Sequence, residues 1–130
     1  MNEIKEKVIK FKNGNIFQKY SYYSKRIKEY KHGKYYEGYQ NGNPKIIATY
    51  VKDKRVGLYQ EFNKQNEIVF QINFIDEKCD GKGFSVYNDE KHEIYYDNGK
   101  SLTEDQYNEL LFDRHLQENF PENYYNLKIK

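Results

Sequence analysis

Three histidines, one cysteine and the run Gly81-Lys82-Gly83 are the residues of this chain whose types could carry bond-making chemistry. A metal centre needs several His, Cys, Asp or Glu side chains at ligand spacing. His32 stands at a turn beside Gly33, His92 begins a strand pattern and His115 sits in a helical one, so none has a motif-spaced partner and each reads as a surface or half-buried histidine. Cys79, ahead of Asp80 and Gly81, could be a nucleophile on a turn. No histidine is placed by motif to activate it, which favours an inert thiol. Gly81-Lys82-Gly83 has a phosphate loop's composition but lacks the GxxxxGK[ST] pattern and the helix that must follow it. The expectation is a chain that is not an enzyme, with no catalytic residue, no metal and no cofactor.

The glycines have another explanation. Gly33, Gly57 and Gly81 are 24 residues apart, and the residues between them agree in character. Thirteen positions after each glycine stand Ile46, Phe70 and Ile94, and two positions after stand Tyr35, Tyr59 and Gly83. A fixed period of this length marks a repeat architecture, with the glycines as its punctuation. Within each unit apolar and polar residues alternate, most cleanly in "FQINF" from Phe70 to Phe74, as half-buried strands do. One hairpin per unit follows: Lys34 to Tyr39 with Lys45 to Val51, Leu58 to Phe62 with Ile68 to Ile75, and Gly83 to Tyr87 with His92 to Tyr96. Asn41-Gly42 and its counterpart Gln65-Asn66 supply turns, because Asn and Gly tolerate positive φ. "VIKFKNGNIFQKYSYY" reads as another hairpin, around Asn13-Gly14, but out of the 24-residue register, hence degenerate or carrying an insertion.

The alternation separates two faces. The face expected to be buried collects Tyr36, Gly38, Ile46, Ala48 and Tyr50, then Leu58, Phe62, Phe70, Ile72 and Phe74, then Phe84, Val86, Ile94 and Tyr96. The face expected to meet water carries a ladder of Tyr35, Glu37, Tyr39, Tyr59, Glu61, Tyr87 and Tyr95. Two readings of that ladder stand side by side: cross-strand tyrosines that cement the sheet, or a protein-binding face, since exposed Tyr offers rigid contact area at small entropy cost. Its glutamates would favour a basic partner.

The segments "HGKYYEGYQNG", "VGLYQEF" and "DGKGFSVY", each a glycine followed by alternating aromatics, and "YYDNGK" after them, resemble MORN-type repeats, in particular the bacterial YwqK-family antitoxin variant. The likeness spans Ile27 to Lys100 in three units, although the second and third turns lack the Asn-Gly of the first. The resemblance implies a non-catalytic interaction module of antitoxin or immunity type, which neutralises a partner protein, a toxin or effector, by occluding it. Two other classes stay open: a MORN-type scaffold or membrane-associated repeat, and a single-strand nucleic-acid binder using tyrosine platforms with Lys34, Lys45, Lys54 and Arg55. Glu37 and Glu61 would repel phosphate, which disfavours the last.

Composition bounds the rest. With 130 residues the chain makes one domain, and 37% hydrophobic content means a thin core that leans on 15 Tyr and eight Phe, with no Trp. A net charge of +2, from 22 basic and 20 acidic side chains, gives no steering toward nucleic acid or anionic membrane. "MNEIKEKVIKF" has no apolar signal core and no long apolar run occurs, so the expected compartment is the cytoplasm, with no membrane insertion; a single cysteine agrees with a reducing milieu.

After Gly99 the period changes. "SLTEDQYNELLFDRHLQENF" opens with a capping box, Thr103 as N-cap and Gln106 at the third helical position, and predicts a helix from about Glu104 to Glu118 that closes the exposed end of the sheet. The organisation is thus mainly β: an elongated antiparallel sheet of consecutive repeat hairpins with one C-terminal capping helix. A degenerate hairpin region spans 1–31, three units span 32–100, and the helix falls in 101–120. The tail 121–130, with "ENYYNLKIK", is either a short edge strand or a loose end.

Overall fold

The computed structural model describes residues 3–120; the C-terminal tail, for which the sequence leaves two readings, lies outside them. Ten strands form one sheet: β1 (Lys5–Lys10), β2 (Ile16–Lys25), β3 (Lys28–Gly38), β4 (Pro44–Val51), β5 (Lys54–Arg55), β6 (Gly57–Phe62), β7 (Ile68–Ile75), β8 (Lys78–Tyr87), β9 (Glu90–Asp97) and β10 (Lys100–Leu102). They pair antiparallel in chain order, with β5 joined to β4, and α1 (Glu104–Asn119) follows. The mainly β sheet of consecutive hairpins with a terminal helix is as the sequence predicts.

Two kinds of turn alternate along the meander. At one end of the strands Phe11 to Asn15, Tyr39 to Asn43 and Asn63 to Glu67 share one design: the first residue donates its N–H to the last carbonyl, at 2.8, 2.8 and 2.9 Å, and receives a bond from Gly14, Gly42 or Asn66. Those three residues all have positive φ, between 66° and 94°. The N-terminal hairpin is therefore a further unit of the same kind. Its turn precedes the next by 28 residues rather than 24, because the β2–β3 hairpin reaches farther before its own tip at Arg26. At the other end of the strands sit two-residue tips with positive φ at both positions, Lys52-Asp53, Asp76-Glu77 and Asn98-Gly99, and Asn88-Asp89 has the same form at the first end. This is the backbone of tight hairpins.

The repeat glycines lie inside the strand ladders. Around Gly33, β2 advances from Tyr20 to Tyr22 while β3 advances from Tyr35 back to Lys31, which leaves two extra residues on β3. Gly81 sits in the same excess on β8, between Phe84 and Asp80, and Gly57 in the same excess between Gln60 and Arg55. All three have positive φ, at 114° for Gly33, 72° for Gly57 and 83° for Gly81, a conformation a β-carbon resists. The insertion comes in pairs, so side chains resume on the face they left. Neighbouring units are then latched twice: Asp53, Glu77 and Gly99 N–H groups donate to the carbonyls of Lys31, Arg55 and Cys79, and the Asn13, Asn15, Asn41 and Asn43 amides donate to the carbonyls of Gln40 or Lys64.

The core lies on one face, and half of it differs from expectation. Ala48, Ile72 and Phe74 are buried, with Ile46, Tyr50, Phe70, Ile94 and Tyr96 packed against them, as the alternation of the second strands predicts. Their cross-strand partners, however, are Tyr35 and Tyr59, which are buried too, and not Tyr36 and Leu58, whose side chains stand on the opposite face. The cause is a one-residue slip beside each turn. Glu37 pairs with Ile46 but the next residue, Gly38, pairs with Pro44, and Glu61 pairs with Phe70 while Phe62 pairs with Ile68. An odd extra residue exchanges the faces of one strand relative to the other.

The helix begins with the predicted capping box, Thr103 Oγ1 accepting from Gln106 N at 3.1 Å and Gln106 Oε1 accepting from Thr103 N at 2.9 Å. It does not close a strand edge; that edge is the three-residue β10. It lies instead on the face opposite the core, where Tyr107 meets the Tyr95 ring at 5.2 Å and Arg114 pairs with Asp97 at 2.7 Å.

Two substitutions separate these faces in solution. Ile72 is 1% exposed, so Ile72→Ala should cost about 2 to 5 kcal/mol. Leu58 is 52% exposed on the other side, and Leu58→Ala should stay within about 0.5 kcal/mol of wild type in a denaturant titration. Gly83→Ala should destabilise strongly, since its β-carbon would run into the Gln71 carbonyl oxygen and the Ile72 side chain.

Candidate binding surface

The predicted Tyr and Glu ladder is not one surface. Tyr35, Tyr59 and Tyr95 are buried, at 7, 8 and 7% exposure, so they are not outward contact residues. Each hydroxyl donates at 2.7 Å to the glutamate two residues away, Tyr35 to Glu37, Tyr59 to Glu61 and Tyr95 to Glu93. Residues two apart on a strand share a face, so every buried tyrosine carries its own acceptor along the chain. Glu37 is further engaged by Lys45 at 3.5 Å. Tyr39 is half-buried and donates to the Phe62 carbonyl at 2.7 Å, while Tyr87 alone among the tyrosines of the ladder is open, at 69%.

Cations lie over the buried rings. The Lys31 ammonium is 5.4, 5.9 and 5.6 Å from the ring centres of Tyr20, Tyr35 and Tyr50. Arg55 takes the equivalent place 24 residues on, 5.5 Å from Tyr59 and 4.3 Å from Phe74, and is itself held by Glu77 at 2.6 Å. These rings, packed and capped, are not platforms on which bases could stack. Lys45 and Lys54, two of the cations weighed for phosphate contact, are likewise paired with Glu37 and Asp76.

The residues with nucleophilic or ligand chemistry stay apart. His32 Nδ1 accepts from the Lys52 N–H at 3.1 Å, and His115 Nδ1 lies 3.0 Å from the Asn119 amide. Cys79 is half-buried beside the core, and burial pushes its thiol pKa up, away from the reactive thiolate. Among the described residues no group of three or more His, Cys, Asp or Glu could hold a metal ion, and no helix is long and apolar enough to cross a membrane.

What lies open is the other face of the sheet. Register sets Lys19, Tyr36, Ile47, Gln60, Gln71 and Phe84 in one row across it. Tyr36 folds over Gly38, where an added β-carbon would stand 3.0 Å from its ring. Beyond that row Lys34 pairs with Thr49, and Leu58 with Asn73. The aliphatic members are uncovered: Val8 is 43% exposed, Ile47 39% and Leu58 52%. A concavity of about 610 Å³ opens over the first four strands, with Ile16, Lys19, Lys34, Tyr36, Ile47 and Thr49 in its lining. The helix sits farther along this same face, on Tyr95.

Sequence reasoning missed this surface because it assigned Tyr36 and Leu58 to the core; the signal that could have found it is the two-residue Asn41-Gly42 turn, which counted outward sets Tyr35 opposite Ala48 and Tyr36 opposite Ile47. No known family, curated protein or solved structure matches the chain.

The tyrosine–glutamate pairs predict an alkaline transition. Burial first, then the hydrogen bond to Glu37 or Glu61, raises the pKa of Tyr35 and of Tyr59; the bond to Glu93 raises Tyr95 to about 12. An unfolded tyrosine titrates near about 10. A raised folded value means that stability is fully present below about 10 and is lost as pH climbs through the folded values. Phenolate absorbance should show a late-titrating group of tyrosines whose ionisation coincides with loss of the β circular-dichroism signal. A single transition near 10 with the fold intact would contradict the pairing.

Proposed function

We propose that this chain is a non-catalytic protein-binding module, of the antitoxin or immunity type that its MORN-like repeat suggests, acting in the cytoplasm by covering a partner protein. The observation that carries this reading is the set of uncovered aliphatic side chains Val8, Ile47 and Leu58, spread among polar residues on one sheet face. The same face already serves as a docking surface within the chain, since the helix binds it through Tyr107 on Tyr95 and Arg114 on Asp97. Exposed apolar side chains set among polar ones are the composition of a partner site. The partner surface is therefore this face, and not the buried tyrosines; Tyr87, although open, stands on the side of Ile94.

Affinity capture from the native host, comparing wild type with Ile47→Lys and Leu58→Lys, tests it. Both positions are solvent-exposed, so the variants should keep the wild-type circular-dichroism spectrum and melting curve while retention of the partner falls by about tenfold or more. The activity of the recovered partner should drop when the wild-type chain is added back. Equal retention by both variants, or a partner whose activity is indifferent to the chain, would overturn the reading.

A further inference from the structure

The concavity over β1 to β4 identifies the kind of segment the open face receives, an inference that rests on the protein-binding role proposed above. Its floor is apolar, with Ile16, Tyr36 and Ile47 in the lining. Two lysines bracket that floor: Lys19 pairs across the sheet with Tyr36, and Lys34 with Thr49 in the adjoining row. Neither lysine makes an ion pair among the described residues. Lys7, Lys45, Lys54, Arg55, Lys82 and Arg114, by contrast, each hold a carboxylate within 4 Å. Other lysines of the chain also stand without a carboxylate; what sets these two apart is that both line the concavity, where Glu6 is the one acidic residue.

We propose that this concavity takes an acidic partner segment that lays an aliphatic side chain on Tyr36 and Ile47 while its carboxylates meet Lys19 and Lys34. The apolar contact supplies most of the affinity, because a side chain leaving water onto an apolar floor gains free energy in proportion to the area covered. The lysines are exposed, so they contribute register, association rate and choice of partner sign more than affinity. About 610 Å³ is room for a few side chains and not for a folded domain, which fits a linear segment or a protruding loop. The sequence reading of a basic partner is replaced: it relied on Glu37 and Glu61, whose carboxylates accept from Tyr35 and Tyr59 on the other side of the sheet.

The test is selection of a random linear peptide library, displayed on phage, against the immobilised full chain, followed by anisotropy titration of the enriched peptides. Peptides combining Asp or Glu with Leu, Ile or Val should emerge. They should bind Lys19→Glu/Lys34→Glu about tenfold or more weakly than wild type, and weaken with added salt. Circular dichroism of the double variant checks that it is folded; if it is not, Lys19→Gln/Lys34→Gln gives the same comparison without new charge. No enrichment, enrichment of basic peptides, or acidic peptides that bind the double variant as well as wild type would overturn the proposal. Peptides indifferent to the lysines yet lost in Ile47→Lys would sink the acidic segment while leaving the open face as the binding surface. Peptides indifferent to every variant would remove both.

Discussion

The slip of one residue beside each long turn decides which side of this sheet is core. Because Glu37 opposes Ile46 and Glu61 opposes Phe70, the tyrosines at 35 and 59 come round to the side of Ala48 and Ile72. The core cluster, the cations over its rings and the glutamates that accept the tyrosine hydroxyls all follow from that register. So does the emptiness of the other side. Had the strands paired without the extra residue, Leu58 and Tyr36 would be inside and the tyrosines outside, and the helix would face a different surface.

A core built on tyrosine carries a polar cost that this fold meets locally. A buried hydroxyl without a partner loses about 1 to 3 kcal/mol. Each of the three buried tyrosines has a glutamate two residues away on its own strand, so the acceptor is delivered by the backbone alternation and needs no long-range packing. The carboxylates are thereby held at the margin of the core, and the phenol pKa values rise. No described buried side-chain nitrogen or oxygen is left without a hydrogen bond. The arrangement is cheap to repeat, which suits a sheet that grows by adding hairpins.

What the sequence shows plainly is whatever depends on residue type at one position. The period follows from glycines that must adopt positive φ, the helix start from a side chain that caps it, and the second strands from an unbroken run such as Phe70 to Phe74. Register is harder, because it is shifted beside each turn, where Lys45 and Val69 are the odd residues between paired neighbours. Tips such as Lys52-Asp53 and Asp76-Glu77 were equally hidden, since positive φ there is imposed by the hairpin and not announced by Asn-Gly. The candidate site inherited the error: Tyr35 and Tyr59 stand beside glutamates but belong to the interior. Tyr95 is a separate case, buried because the helix lies on it.

A single-layer sheet has two faces and this chain has apolar material for little more than one. The aromatic side encloses itself by packing rings from neighbouring units against one another, with Lys31 and Arg55 as lids. The opposite side has no such device. Where the chain continues past β10 it lays its own helix there, and α1 has no fully buried residue, so the contact is a light one made by a tyrosine, an ion pair and a few half-buried leucines. Over β1 to β6 nothing in the described chain plays that part, although Val8, Ile47 and Leu58 offer the same kind of footing. The two ends of one face thus differ only in whether a covering element is attached, and the physical requirement that places the helix at one end applies equally at the other.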